Sequence, residues 1–339
     1  MRCNRLAMAM VVWLAAWPAV AQSPADATVV RLAMNPALSN NLPVYFAIDK
    51  GYFAEEGLKI EVAPLTGSTS AAIPLLARGD IDILPGAASP AFFNQKSQGF
   101  DLEIVAAAIQ YAPGWTPDNA LLVRKDLYDS GAIKSPADLK GHSLDIGPVG
   151  SPINFYGRQL EQRYELSGSA TITAKYKAAG DWLAALQNKA VDALVAVEPA
   201  ASAIVKDGFA IKIGSLQDIY PDWSMQYIIT SRAYAKAKEE TLVKFLKALL
   251  RAANEIDKAG PTWTPDALAA EVHASGLSAD QVKAAPPPHP ATTGDVSVAP
   301  LQTLSDYYAE AGLLTAKVDP ASLLDLTYVR KAQAALGVK

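Results

Sequence analysis

Val29-Val30-Arg31-Leu32-Ala33-Met34, Leu58-Lys59-Ile60-Glu61-Val62 and Ile81-Asp82-Ile83-Leu84 are three short apolar runs, each followed by a turn and an amphipathic stretch. Strands that alternate with helices in this way are the signature of βαβ units, so the chain reads as α/β, built on parallel sheet. Helices are expected at 44–52, 69–78 and 89–98, and a fourth strand at 102–108. The third strand, 81–84, is expected to close at Pro85-Gly86. The breaker-rich segment Ala112-Pro113-Gly114-Trp115-Thr116-Pro117-Asp118 then marks a boundary.

Past that boundary the same grammar resumes. Strands are expected at 120–124, 143–146, 172–176 and 193–197, with helices at 135–140, 152–166 and 181–188. One more apolar run, 225–230, precedes a helical remainder. Residues 239–257 carry Leu242, Phe245, Leu246, Leu249, Leu250 and Ala253 at spacings of three and four, the stripe of an amphipathic helix. Pro286-Pro287-Pro288-His289-Pro290 reads as a stiff surface loop, and helices at 301–311 and 321–331 end the chain. Two sets of strands and helices, joined by one outward and one returning crossing, imply two lobes around a hinged cleft. The expected division is 28–112 and 223–339 for one lobe and 113–222 for the other.

At the N-terminus, Arg2 and Arg5 precede an apolar run, 6–20, that ends in Ala19-Val20-Ala21. Basic, apolar and Ala-x-Ala parts in that order predict a secretory signal peptide, 1–21, cleaved after Ala21, and hence a periplasmic protein. The run is shorter than the ~20 apolar residues that a spanning helix needs. Cys3, the only cysteine, leaves with it, so the mature protein has no disulfide, thiol nucleophile or cysteine metal site. Cleavage takes two arginines and no acids from totals of 30 and 34, leaving 28 basic against 34 acidic side chains, a formal charge of −6. That balance gives no reason to expect nucleic acid or an anionic membrane as partner.

Four loops follow expected strands and open helices: 35–43, 65–70, 85–89 and 147–152. In open α/β sheets ligands sit at the carboxyl ends of strands, where helix N-termini offer free N–H groups. Each loop is also explained by ordinary capping, and it is the recurrence at four strand ends that points to a shared site. Catalytic groupings are scarce. His142, His273 and His289 lie outside these loops, and no zinc-binding His pair, nucleophile elbow or phosphate loop occurs. Asp80 and Asp82 read as the entry to a buried strand. Glu198, after a buried strand, is placed to accept hydrogen bonds from a ligand or to cap a turn. Tyr111, Trp115, Tyr156 and Trp223 lie near the crossings or the cleft loops and are candidate pocket aromatics.

Several of these stretches are also familiar. Ala47-Ile48-Asp49-Lys50-Gly51-Tyr52-Phe53-Ala54-Glu55-Glu56-Gly57-Leu58 resembles a stretch of the ABC-transporter substrate-binding proteins of the nitrate/sulfonate/taurine (NMT1/THI5-like) family. Leu76-Ala77-Arg78-Gly79-Asp80-Ile81-Asp82, Ser135-Pro136-Ala137-Asp138-Leu139-Lys140-Gly141, Val191-Asp192-Ala193, Glu198-Pro199 and Tyr307-Tyr308-Ala309-Glu310-Ala311-Gly312-Leu313-Leu314 follow in the family's order. The resemblance implies a type II periplasmic-binding-protein fold and a monomer that hands a small-molecule solute to a membrane permease with its ATPase, with no cofactor and no turnover. Carried over by position, it places binding residues at Ser39, Asn40 and Asn41, at Gly67, Ser68 and Thr69, and at Gly86, Ala88 and Ser89. Ser151 and Glu198 answer from the second lobe.

The solute class expected from hydroxyls, helix N-termini and aromatics is a small organic acid or sulfonate, with a neutral heteroaromatic such as a pyrimidine as the alternative. The same fold is also implied for an enzyme branch that makes the thiamine pyrimidine. Those enzymes carry a cysteine-rich iron-binding motif that this chain lacks. A ligand sensor that signals to a membrane receptor is the remaining reading.

Overall fold

The computed structural model describes residues 27–36, 39–65, 69–117, 119–176 and 179–337. The expected signal peptide, 1–21, lies outside them, as do Gly67 and Ser68. Among the described residues no helix is long and apolar enough to cross a membrane.

Among the described residues ten strands form two five-stranded sheets. β1 (Thr28–Met34), β2 (Leu58–Pro64), β3 (Ile83–Gly86), β4 (Leu102–Gln110) and β10 (Ser224–Ser231) assemble in the order β2-β1-β3-β10-β4. β5 (Asn119–Arg124), β6 (Ser143–Asp145), β7 (Thr171–Thr173), β8 (Ala193–Val197) and β9 (Ala210–Gly214) assemble in the order β7-β6-β8-β5-β9. Both are mixed rather than parallel sheets. β10 is antiparallel to β3 and β4, and β5 to β8 and β9. The reason lies in the crossings. The parallel strands finish at the interface between the lobes, whereas β5 and β10 begin there, because the chain has just arrived from the other lobe.

Those two crossings run side by side. Tyr111 N–H donates to Trp223 O at 2.8 Å, and Asn119 ties them further: its Nδ2 donates to the Tyr111 hydroxyl at 3.1 Å and its Oδ1 accepts from Leu216 N at 3.0 Å. Asn119 is fully buried, so these bonds replace water it has lost.

The helix Glu239–Lys258 lays Leu242, Phe245, Leu246, Leu249 and Leu250 on the first sheet, with Phe53 stacked on Phe245 at 4.9 Å. Asp82 is the strand-entry residue its surroundings suggest. Its carboxylate accepts from Arg31 N at 2.8 Å and from the Arg31 guanidinium at 2.7 and 3.0 Å, joining β1 to the start of β3.

Three expectations change. β3 continues through Pro85-Gly86 instead of closing there. It pairs with β1 only at Ile83, so the missing proline N–H interrupts no ladder bond to β1. β9 and the helix Ala200–Lys206 occupy stretches read without elements, whereas the helix Pro265–Ser275 falls in the remainder read as helical. The proline segment is no surface loop. Pro287, Pro288 and Pro290 are buried along β4, whose Gln110 N–H donates to His289 O at 3.1 Å, while Ala291 N–H donates to Ala108 O at 2.9 Å. A proline-rich chain keeps its carbonyls as acceptors even where it lacks donors, which suits it to covering a sheet edge.

Candidate functional site

β3, β6 and β8 each end at the interface and hand the chain to a short turn and a helix. Between the lobes these turns enclose a cavity of about 420 Å³. From the first lobe Ser39, Asn40, Thr69, Gly86, Ala88 and Ser89 line it. Ser151, Glu198 and Trp223 complete the set of sequence-derived residues that reach it. Gly86 matters for space: a Cβ there would lie 3.2 Å from both Cβ and Oγ1 of Thr69.

The other candidates are placed elsewhere. Asn41 is buried behind the first turn. Its Nδ2 donates to Asn35 O at 2.8 Å and its Oδ1 accepts from Gln226 Nε2 at 2.8 Å, and Gln226 in turn lines the cavity. Tyr111 belongs to the crossings described above. Trp115 packs on the His289 ring, 4.9 Å between centroids, away from the cavity. Tyr156 is 1 % exposed within the second lobe, where burial holds its hydroxyl well above the usual phenol range.

Sequence reasoning missed most of the wall. Phe155, Trp182, Trp263 and Tyr308 line the cavity, as do Pro286 and Pro288 of the proline segment. Trp263 Nε1 donates to Ala285 O at 2.7 Å and so holds that segment against the lobe. Phe155 stacks on Trp223 at 5.0 Å and meets Tyr307 edge-on at 5.2 Å, and Tyr307 lies 5.3 Å from the Tyr308 ring. One signal was available. Of the tryptophans beyond the expected signal peptide, all except Trp115 line the cavity.

The polar groups are more committed than the sequence suggested. Ser89 Oγ accepts from Phe92 N at 3.4 Å. Ser151 Oγ accepts from Asn154 N at 3.2 Å and donates to Pro148 O at 2.7 Å, so its single proton is already used. The helices that open on the cavity, Leu42–Asp49, Ile73–Arg78, Pro90–Phe93 and Pro152–Arg163, each carry proline in the first two positions. Each thereby loses one of the free N–H groups on which an anion would rely. Glu198 is the one ionisable carboxylate or cation among the described lining residues, and its Oε2 accepts from Ser202 N at 2.9 Å. Gln226 Oε1 and the Tyr227 hydroxyl are buried without a hydrogen-bond partner, and burial holds that phenol far above its ordinary range. Among the described residues no group of three or more His, Cys, Asp or Glu side chains is placed to hold a metal.

A family profile described as NMT1/THI5 like matches residues 39–259, well over half of the chain. The chain belongs to the NMT1/THI5-like family. Solved structures agree on the fold, a type II periplasmic-binding-protein fold with two α/β lobes about a cleft. The chain is similar to a putative periplasmic sulfonate-binding protein from Methylobacillus flagellatus at 19 % identity and TM-score 0.70, with 93 % of this chain and 96 % of that one covered. It is similar to the periplasmic nitrate-binding protein NrtA from Synechocystis at 13 % identity and TM-score 0.69, covering 93 % and 90 %. The desulfurization enzyme DSZB shares the fold at 12 % identity and TM-score 0.64, covering 91 % and 99 %. No curated protein sequence matches significantly. For this NMT1/THI5-like chain the likeness at such identities establishes architecture, and the choice between binding and catalysis rests on the cavity itself.

Proposed function

We propose that the chain is the solute-binding component of an ABC importer. It is exported with cleavage after Ala21, acts as a periplasmic monomer, and passes a small organic solute to a membrane permease with its ATPase. The observation that carries this reading is the cavity of about 420 Å³ between two lobes that the chain links by paired crossings, an arrangement that can open and close around a ligand. Its lining carries no histidine or cysteine among the described residues, so no Ser-His or Cys-His pair is present there.

Of the two solute classes expected, the donor set favours the neutral one. Proline in four helix starts, a serine proton already committed and Glu198 as the lone charge among the described lining residues suit a ring or alkyl body with polar substituents better than a bare anion. Trp182, Trp223 and Trp263 provide the flat apolar walls.

Calorimetry with nitrate, taurine, alkanesulfonates, aromatic carboxylates and pyrimidines tests both statements. Binding of a pyrimidine or another neutral ring, returned unchanged after many equivalents, is the expected result. Tight binding of nitrate alone would remove the solute assignment, and a chemically altered product would remove the transport reading in favour of an enzyme. N-terminal sequencing of the exported protein is expected to begin at Gln22.

A further inference from the structure

Gln226 sits near the start of β10, where the returning crossing delivers the chain to the interface. It is 4 % exposed and lines the cavity. Which end of its amide is left for a solute is decided behind the wall, by a chain of hydrogen bonds that begins at a backbone carbonyl. Asn35 O can only accept, so the Asn41 atom 2.8 Å from it is the donor Nδ2. Asn41 therefore turns Oδ1 toward Gln226, and that oxygen too can only accept. The Gln226 atom 2.8 Å from it is Nε2. What remains of Gln226 is Oε1, an acceptor buried without a hydrogen-bond partner.

Turning the amide over gives no relief. Gln226 would then set Oε1 against Asn41 Oδ1, two acceptors face to face, and leave Nε2 unpaired instead. A buried carbonyl oxygen without a partner is uncommon in a folded chain and calls for a reason. Gln226 is a wall residue, so the nearest group that the chain does not itself supply is whatever fills the cavity.

We propose that Gln226 is a specificity-determining residue, held by Asn41 with its amide oxygen free, and that the solute brings an N–H or O–H group to that oxygen. The proposal rests on the solute-binding reading and narrows its substrate class. Among neutral rings it selects those that carry a donor, such as lactams, carboxamides and amino-substituted heteroaromatics. Bare nitrate, which has acceptors alone, leaves Oε1 unpaired, and a site that loses such a bond on binding rejects the molecule that causes the loss. Asn41, expected from the resemblance to touch the solute, acts instead at one remove, as a positioning residue.

The test begins with the mature protein and the small-molecule fraction of a bacterial culture. The compound it retains is identified by native mass spectrometry and is expected to carry an N–H or O–H. Analogues are then made in which each donor in turn is replaced by an atom of similar size without hydrogen, a ring oxygen for N–H or fluorine for O–H. By calorimetry the wild type is expected to bind one of these at least about tenfold more weakly than the parent compound. Gln226→Met keeps the length of the side chain and removes its polar atoms. In that variant the parent is expected to weaken to the level of the same analogue, so that the ratio between them falls to about one. A residue that only packs would weaken both compounds alike and leave the ratio standing. A measurement on the wild type needs no variant: with isotope-labelled glutamine carbonyls, the Gln226 resonance is expected to move downfield with the parent and to stay in place with that analogue.

A retained compound without N–H or O–H, a ratio as large in Gln226→Met as in the wild type, or a Gln226 resonance that the parent does not move each overturns the assignment while leaving solute capture intact. Retention of no compound at all overturns solute capture itself, and this assignment with it.

Discussion

Tyr307 and Asn154 join the two lobes: the Tyr307 hydroxyl, on the helix Val298–Glu310, donates to Asn154 Oδ1 at 2.5 Å, in a buried position beside the cavity. The direction of the bond is set by the rest of the amide, because Asn154 Nδ2 donates to Gly147 O at 2.9 Å within its own lobe. The same hydroxyl accepts from Gly150 N at 3.4 Å. One phenol thus holds the start of the helix Pro152–Arg163 against the other lobe.

Tyr307→Phe keeps the ring packed on Phe155 and deletes only these bonds. A buried acceptor left unpaired costs about 1–3 kcal/mol, or roughly 5- to 150-fold in the ratio of closed to open forms. Small-angle scattering of the variant is expected to show a larger radius, and solute affinity to fall by a comparable factor. Wild-type radius and affinity would show that the bond does not hold the lobes together.

Gly150→Ala attacks the same contact from the other side. Gly150 has φ +83°, and a Cβ there would lie 3.0 Å from Leu313 Cδ1 of the opposite lobe. Backbone strain of about 1 kcal/mol or more adds to the steric conflict. The variant is expected to favour the open form, and Leu313→Ala in the same chain to restore closure only in part, since it relieves the contact and not the strain. Scattering of the single and double variants reads both effects.

Trp223→Ala removes a cavity wall that is 6 % exposed and stacked on Phe155 at 5.0 Å. Loss of a buried aromatic of this size costs about 3–5 kcal/mol. Denaturant unfolding is expected to show that loss, together with at least a tenfold drop in solute affinity. Loss of stability with unchanged affinity would place Trp223 among core residues only.

Stability is expected to respond to pH through Glu271. Its carboxyl titrates at about 7 in the folded protein and near the ordinary 4.5 when unfolded. Between these values the folded state holds a proton that the unfolded state lacks, so this contribution to stability falls as pH rises toward 7 and is flat beyond it. Glu103, 1 % exposed and 2.9 Å from Arg232 Nη1, is also pushed by burial to about 7 and acts in the same direction. His289 opposes them, because burial holds its imidazole below its ordinary value, so its contribution to stability grows as pH rises. Chemical unfolding from pH 5 to 8 is therefore compared between wild type and Glu271→Gln. The wild type is expected to lose up to about 3 kcal/mol relative to the variant across this range. Parallel curves would show that Glu271 is ionised throughout.

Much of the architecture was legible because it is written in local periodicity. The runs at Val29, Leu58, Leu102, Ala120 and Ala193 needed only the alternation of strand and helix to be found, and the stripe of Leu242, Phe245, Leu246 and Leu249 only a period of 3.6. The short β9 and the helix Ala200–Lys206 carry weaker patterns and went unread. So did the direction of β5 and β10, since a strand's sequence does not record which end of the sheet it enters.

The cavity divides in the same way. The loops that hold Ser39, Thr69, Gly86, Ser89 and Ser151 were found because ligands of such sheets sit at strand ends, a rule that operates on local sequence, and the residues within them were carried over from the family resemblance. The sequence by itself therefore determined two α/β lobes, the family and the small-residue turns of a cleft. Only the tertiary structure decided which aromatics line the cavity and that the proline segment walls it. Each of those facts depends on contacts between residues tens to hundreds of positions apart, and these are set by how helices and crossings pack, not by any pattern along the chain.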